Sequence, residues 1–251
     1  MRTLIIVQAR MSSSRLPGKV LKEVCGKTLL EHLIIRLRRV KQADKIVIAT
    51  TIKKEDSQIV DLCNMLNTPF YRGSANDILS RYYEAALNYE ADLVVRVTSD
   101  CPLIDPQIVD RIITYYIDNN DNIDYVSNCL NRTYPRGMDV EVFPFSILKE
   151  AYEEAKKDYE REHVTPFIRS RHSRYRLHNI EHSTNLSHYR LTVDTSEDFE
   201  LVEKIFEELF FEKPEFEMKD ILAVLEVNSE WLSINSHVIH KSSDVNKIRK
   251  Y

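Results

Sequence analysis

Glycine is scarce in this chain, with only 4 in 251 residues, against an ordinary usage of about 7%. Each of the four (Gly18, Gly26, Gly73 and Gly137) follows or separates apolar segments, where a backbone can need positive φ or close approach to a ligand. Gly26 reads as an ordinary turn; Gly18 and Gly73 read as points of ligand approach. No GxGxxG is present, which removes the dinucleotide-binding fingerprint. Gly26-Lys27-Thr28 imitates the end of a P-loop, but the pattern requires a glycine five residues before Gly26 and that position is Leu21.

The other absences narrow the chemistry further. The 4 cysteines, Cys25, Cys63, Cys101 and Cys129, form no CxxC pair and no Cys/His spacing suited to zinc. No HExxH and no GxSxG occur, so neither a zinc hydrolase nor a serine hydrolase has support. No apolar run approaches the roughly 18 residues of a membrane span, and no signal-peptide pattern opens the chain. A net charge of −4 argues against a protein that coats nucleic acid or anionic lipid. The expectation is a soluble, reduced, cytoplasmic protein that binds no nucleic acid and no membrane.

What is present is a strong alternation. Leu4 to Val7 is a short continuous apolar run, the pattern of a strand buried on both faces. Leu29, Leu30, Leu33, Ile34, Leu37 and Val40 then recur at helical spacing. Strands are expected at 45–50, 70–72 and 93–98, with helices around 59–66 and 79–87 between them. Further helices are expected around 108–116, 147–155, 199–209 and 218–227, and a last strand at Leu191-Thr192-Val193-Asp194. Thr195 and Asp198 fit a capping box that opens the 199–209 helix. This order predicts an α/β three-layer sandwich with a mixed, mainly parallel sheet. One domain over residues 1–251 is expected, with 228–251 as a C-terminal arm or tail.

The chemistry gathers at strand ends. Arg10, Arg15 and Lys19 stand in a loop of small hydroxyl residues that Pro17-Gly18 turns, a good presentation of donors to a polyphosphate. Asp100 follows the 93–98 strand and Asp194 ends the expected 191–194 strand, where ligands collect in open α/β sheets. Two such carboxylates suit Mg²⁺, which fills its other positions with water and substrate phosphates. In the segment before residue 143, Val140 and Val142 alternate with Asp139 and Glu141, so one strand face is expected to be apolar and the other to carry two carboxylates.

Four stretches carry a resemblance: Gln8-Ala9-Arg10…Ser14-Arg15-Leu16-Pro17-Gly18-Lys19, Arg72-Gly73-Ser74…Asp77-Ile78-Leu79, Thr98-Ser99-Asp100-Cys101-Pro102-Leu103-Ile104 and Val193-Asp194-Thr195-Ser196-Glu197-Asp198. Together they resemble the sugar cytidylyltransferases, in particular the spore-coat-polysaccharide branch, related to the acylneuraminate and 3-deoxy-manno-octulosonate enzymes. Pro135-Arg136-Gly137-Met138-Asp139-Val140-Glu141 and Arg161-Glu162-His163-Val164-Thr165-Pro166 are similar to that branch too. The resemblance implies a nucleotide-diphospho-sugar-transferase-like (Rossmann-like) fold, often homodimeric, that moves CMP from CTP to an acceptor and releases pyrophosphate.

Residue by residue, the resemblance implies that Arg15, Lys19 and Asp100 are catalytic. Ala9, Arg10, Ser14, Arg15, Lys19, Gly73, Ser74, Asp77, Thr98 and Ser99 would bind the nucleotide. Asp100 and Asp194 would hold Mg²⁺. Arg136, Asp139, Glu141, His163 and Arg169 are candidates for a small-molecule acceptor, a sugar, sugar acid or phosphorylated compound of surface polysaccharide or glycoconjugate synthesis. Two rivals stand beside this reading: a glycosyltransferase of the same fold using a nucleotide sugar, and a non-catalytic nucleotide-binding protein. Against the first, Asp100-Cys101-Pro102 occupies the place of a DxD motif.

Overall fold

The computed structural model describes residues 1–239. The chain opens with β1 (Thr3–Gln8), whose residues Leu4 to Val7 are all buried. After the basic loop and a 3-10 turn at Lys19–Leu21 comes a two-stranded hairpin, β2 (Glu23–Val24) with β3 (Lys27–Thr28). Then follow α1 (Leu29–Leu37), β4 (Lys45–Thr51), α2 (Ser57–Met65), β5 (Phe70–Gly73), α3 (Ile78–Asn88), β6 (Leu93–Thr98) and α4 (Pro106–Asn119). The second half holds β7 (Tyr125–Ser127), β8 (Glu141–Pro144), α5 (Phe145–Glu154), α6 (Asp158–His163), α7 (Pro166–Arg169), β9 (Leu177–Asn179), α8 (Ser196–Leu209) and α9 (Met218–Val227).

Seven strands form one sheet in the order β5-β4-β1-β6-β8-β7-β9. Its left half is parallel, because each crossover from β1 to β6 runs through a helix. β8 enters antiparallel between β6 and β7, and β9 closes the edge parallel to β7. Alternate side chains of β1 serve two cores. Ile5 and Val7 pack with α1, α4, α8 and α9 on one face, and Leu4 and Ile6 pack with α3, α5 and α7 on the other. Helices on both faces of a mostly parallel sheet make the three-layer sandwich that the alternation implies.

Three details depart from expectation. Leu191–Asp194 is not a strand: only an isolated parallel bridge between Arg136 and Arg190 marks this stretch. The segment nevertheless runs extended against the end of β6, held by the Val193 amide donating to the Asp100 carbonyl at 2.8 Å. β8 begins only at Glu141, so Asp139 lies before the strand. The strand β9 and the short helices α6 and α7 were not expected.

Of the region expected as an arm, residues 228–239 are described: a 3-10 turn at Ser229–Ser233 and a buried Asn235. The remainder, 240–251, lies outside the described residues.

Candidate active site

The loop after β1 is fastened before it is functional. The Met11 amide donates to Asp56 at 2.7 Å, and Thr51 donates its hydroxyl to the same fully buried carboxylate. The Gly18 amide closes back on the Met11 carbonyl at 2.9 Å. Gly18 itself sits at φ 68°, in the left-handed region, where a side chain would strain the turn that sets Lys19. Asp56 gave no signal in the sequence, because its role exists only once α2 has packed beside the loop.

Beyond the carboxyl ends of β1 and β6 lies a cleft of about 290 Å³. Arg10, Ser14, Arg15, Lys19, Thr98, Ser99, Asp100, His163 and Asp194 line it, together with Ala9. A larger hollow of about 510 Å³ at the opposite, amino ends of the strands is bordered by Met1, Arg2, Asp44, Glu90 and Asp92. It is open, its Arg2 is already paired with Glu90, and it gathers none of the basic loop. The chemistry belongs to the smaller cleft, at the strand ends where open α/β sheets bind ligands.

At the centre of the cleft one ammonium lies between two carboxylates. Lys19 Nζ is 3.0 Å from Asp194 and 3.4 Å from Asp100, and donates to the Val193 carbonyl at 2.7 Å. Arg15 reaches Asp194 at 2.8 Å. Burial pushes the Lys19 ammonium down, but Asp100 and Asp194 outweigh it and hold its pKa above the usual lysine value. Burial likewise pushes Asp194 up, and Lys19, Arg15 and Arg190 together hold it below the ordinary carboxylate range. Thr98 donates its hydroxyl to Asp100 at 2.5 Å.

Asp194 is placed from behind by Arg190 and Asn235, which the sequence reading passed over, and by Asp198, which it read only as a helix cap. Arg190 forks onto the fully buried Asp198 at 2.7 and 2.8 Å and also contacts Asp194 at 3.0 Å. Asp198 accepts from the Asp194 amide at 2.9 Å while completing the capping box of α8 with Thr195. Asn235 donates to Asp198 and to the Arg190 carbonyl, so the C-terminal segment locks the same network. Gly137 lets this segment approach: a Cβ there would stand 2.6 Å from the Leu191 carbonyl, and its φ is +100°.

The residues of the second nucleotide motif divide. Gly73, Ser74 and Asp77 do not line the cleft. Asp77 caps α3, accepting from the Ser80 amide at 3.0 Å, and pairs with Arg161 of α6 at 2.6 Å. The Ser74 carbonyl accepts from Arg81, which does line the cleft and was missed.

On the acceptor side, Glu141 is a correction. Its carboxylate is buried and engaged by Arg96, the Tyr125 hydroxyl and the Thr165 hydroxyl at 2.7 Å, so it braces the sheet and is not offered to an acceptor. Burial pushes this carboxyl up, and Arg96 and Arg169 pull it down below its ordinary value. Asp139 pairs with Arg132, 2.7 Å at its second contact. Arg136 is partly buried beside Arg132, and the Arg169 Nε is buried without a partner among the described residues. His163 reaches the cleft through a tight turn: Val164, at φ 70° and ψ −60°, lets the Thr165 amide donate to the His163 carbonyl at 2.9 Å. A buried, β-branched residue at positive φ is strained, the kind of strain that accompanies functional sites.

Two facing carboxylates that already share one cation fit a hard divalent ion. Among the described residues no three His, Cys, Asp or Glu side chains gather as a self-sufficient metal cage. A basic loop, the Asp100 carboxylate after β6 and the Asp194 carboxylate of the extended 191–194 segment face one cleft on a doubly covered α/β sheet, an arrangement suited to nucleotidyl transfer.

Comparison with known proteins agrees. A family model described as cytidylyltransferase matches residues 4–224, and the chain belongs to that family. It is 31% identical to the spore coat polysaccharide biosynthesis protein SpsF of Bacillus subtilis, covering 90% of this chain and 95% of that protein. A cytidylyltransferase structure from Leptospira borgpetersenii superposes with a TM-score of 0.90 at 34% identity, over 96% of this chain and 100% of that one. A CMP:2-keto-3-deoxy-manno-octonic acid synthetase solved with CTP shares the fold, with a TM-score of 0.65 at 18% identity, over 83% of this chain and 100% of that one.

Proposed function

We propose that this enzyme transfers CMP from CTP to a sugar, sugar acid or phosphorylated acceptor and releases pyrophosphate, in the synthesis of a surface polysaccharide or glycoconjugate. The observation that carries the reading is Lys19 held between Asp100 and Asp194, beside Arg10 and Arg15, at the mouth of a parallel sheet. The family supports the cytidylyl donor, and the SpsF relative supports a polysaccharide context.

Phosphoryl and nucleotidyl transfer need little covalent help; positioning and charge neutralisation supply most of the rate. Arg10, which forms no ion pair among the described residues, is available to the triphosphate. Arg15 and Lys19 exchange their contacts with Asp194 for the β- and γ-phosphates and neutralise the charge that builds on departing pyrophosphate. Asp100 and Asp194 would hold Mg²⁺, which when bound neutralises phosphate charge and orients the triphosphate. The acceptor oxygen attacks the α-phosphorus as the bond to the β-phosphate oxygen breaks. Asp139, Arg136, His163 and Arg169 border the acceptor. The resemblance of the motifs supports a homodimer as the working form, and the scattered free cysteines support a reducing, cytoplasmic setting.

Pyrophosphate release from CTP and Mg²⁺ with a panel of sugar acids and phosphosugars tests the proposal. Lys19→Met is expected to lower the rate by roughly 10²–10³-fold with the fold intact by circular dichroism. Turnover equal to wild type removes Lys19 from the chemistry, and no pyrophosphate release by the wild type with any acceptor favours a protein that only binds nucleotide.

A further inference from the structure

Arg81, on α3, is a buried charge with no direct ion-pair partner among the described residues, although Asp56 and Asp77 act on it from farther off. Its side chain is among the largest fully buried ones, with the residue 1% exposed. Nη1 donates to the Ser74 carbonyl at 2.7 Å, while Nε is buried with no partner and Nη2 makes no hydrogen bond among the described residues. No carboxylate lies within ion-pair distance among those residues. Burial holds the guanidinium below the usual arginine value. Buried polar groups are ordinarily satisfied, and an unpaired buried cation is costly. The stem is fixed too: a Cβ on Gly73 would stand 3.1 Å from Arg81 Cγ, so the missing side chain at 73 makes room for it.

The unused donors, Nε and Nη2, form one parallel edge of the guanidinium fork, and Arg81 lines the nucleotide cleft beside Ala9, Arg10 and Ile78. Such an edge matches two adjacent acceptors on a ligand. The cations suited to phosphate, Arg10, Arg15 and Lys19, come from the loop after β1, whereas Arg81 approaches from α3 and is nearly dry. A dry, planar fork suits the edge of a neutral heterocycle better than a solvated phosphate. Cytosine presents O2 and N3 side by side as acceptors; uracil carries a proton on N3 that would face the arginine donors.

We infer that Arg81 reads the O2/N3 edge of the cytosine ring and is the residue that separates CTP from UTP. This rests on the CTP-dependent reading above. The test is calorimetric titration of the intact protein with Mg²⁺ and CTP, UTP or 3-deaza-CTP, which lacks the N3 acceptor. Wild type is expected to bind CTP about tenfold or more tightly than either analogue. Arg81→Lys, which keeps charge but loses the fork, is expected to bring CTP down to the UTP affinity and leave UTP within about twofold. The wild-type comparison needs no variant, so it can overturn the inference even if Arg81→Lys folds poorly, and Arg81→Gln then supplies the residue assignment with the same expected loss of CTP preference. Equal wild-type affinity for CTP and 3-deaza-CTP overturns the inference alone. Loss of CTP and UTP affinity to the same extent in Arg81→Lys assigns the residue to phosphate or ribose and overturns it as well. No CTP binding by wild type overturns the parent reading.

Discussion

Asp194 shows how a residue acquires its function from partners that adjacency in sequence does not reveal. Lys19, Arg15 and Arg190 hold its pKa below the ordinary value of 3.8. In the interval between its folded and unfolded pKa values the unfolded chain binds more protons, so stability rises with pH there. The stabilisation is fully present above about pH 4 and is lost as pH falls through the depressed value. Urea midpoints measured from pH 6 to pH 3 are therefore expected to fall below pH 4 in wild type, and less steeply in Asp194→Asn. Parallel acid limbs for the two proteins would contradict the pairing. Asp100 and the loop cations were legible in the sequence because strand-end position and charge mark them, and Asp194 because its segment has the composition of a strand, although it is only extended chain. Asp56 and Arg81 were not, since each is an ordinary helix or loop residue until a distant segment arrives, and Asp198 was legible as the helix cap it is but not as the anchor of Arg190. Glu141 was misread for the same reason: alternation placed it opposite Val140 and Val142, but Arg96 and Tyr125 turn that second face into interior.

At the scale of elements, the long periodic helices and the parallel strands followed from pattern, whereas short elements set by their partners did not. β9 is three residues long and owes its pairing to β7, and α6 and α7 are fixed by Arg161 on Asp77 and by the turn at Val164. The Leu191–Asp194 segment has the composition of a strand but is held by isolated contacts, the Leu191 amide to the Arg136 carbonyl and the Val193 amide and Thr192 hydroxyl to the Asp100 carbonyl. Gly137 is the hinge point of that arrangement. Gly137→Ala puts a side chain at positive φ and against the Leu191 backbone, for an expected cost of about 2 kcal/mol or more. At this chain length that is a fall of roughly 4–8 °C in Tm by calorimetry. CTP affinity should fall with it, because the displaced segment carries Asp194. A variant with wild-type Tm would show that the 190–194 segment is not held by this contact.

For the whole molecule, sheet and cleft are one design. Parallel strands β1 and β6 deliver Gln8 and Thr98 to the same edge, the loop after β1 brings three cations, and the turn after β6 brings Asp100. The C-terminal half then returns Asp194 across the top, with Asn235 fastening it from the final described segment. The fold class was legible because strand and helix alternate with clean periodicity; the closing of the cleft was not, because it depends on pairings between residues 98–100 and 190–198. Calorimetric titration of the wild-type protein with CTP, UTP, ATP and GTP in Mg²⁺ tests the central claim most directly. Saturable binding of CTP, about tenfold or more tighter than each of the other three, is the expected result. Equal affinity for all four, or no binding of CTP, would contradict the account.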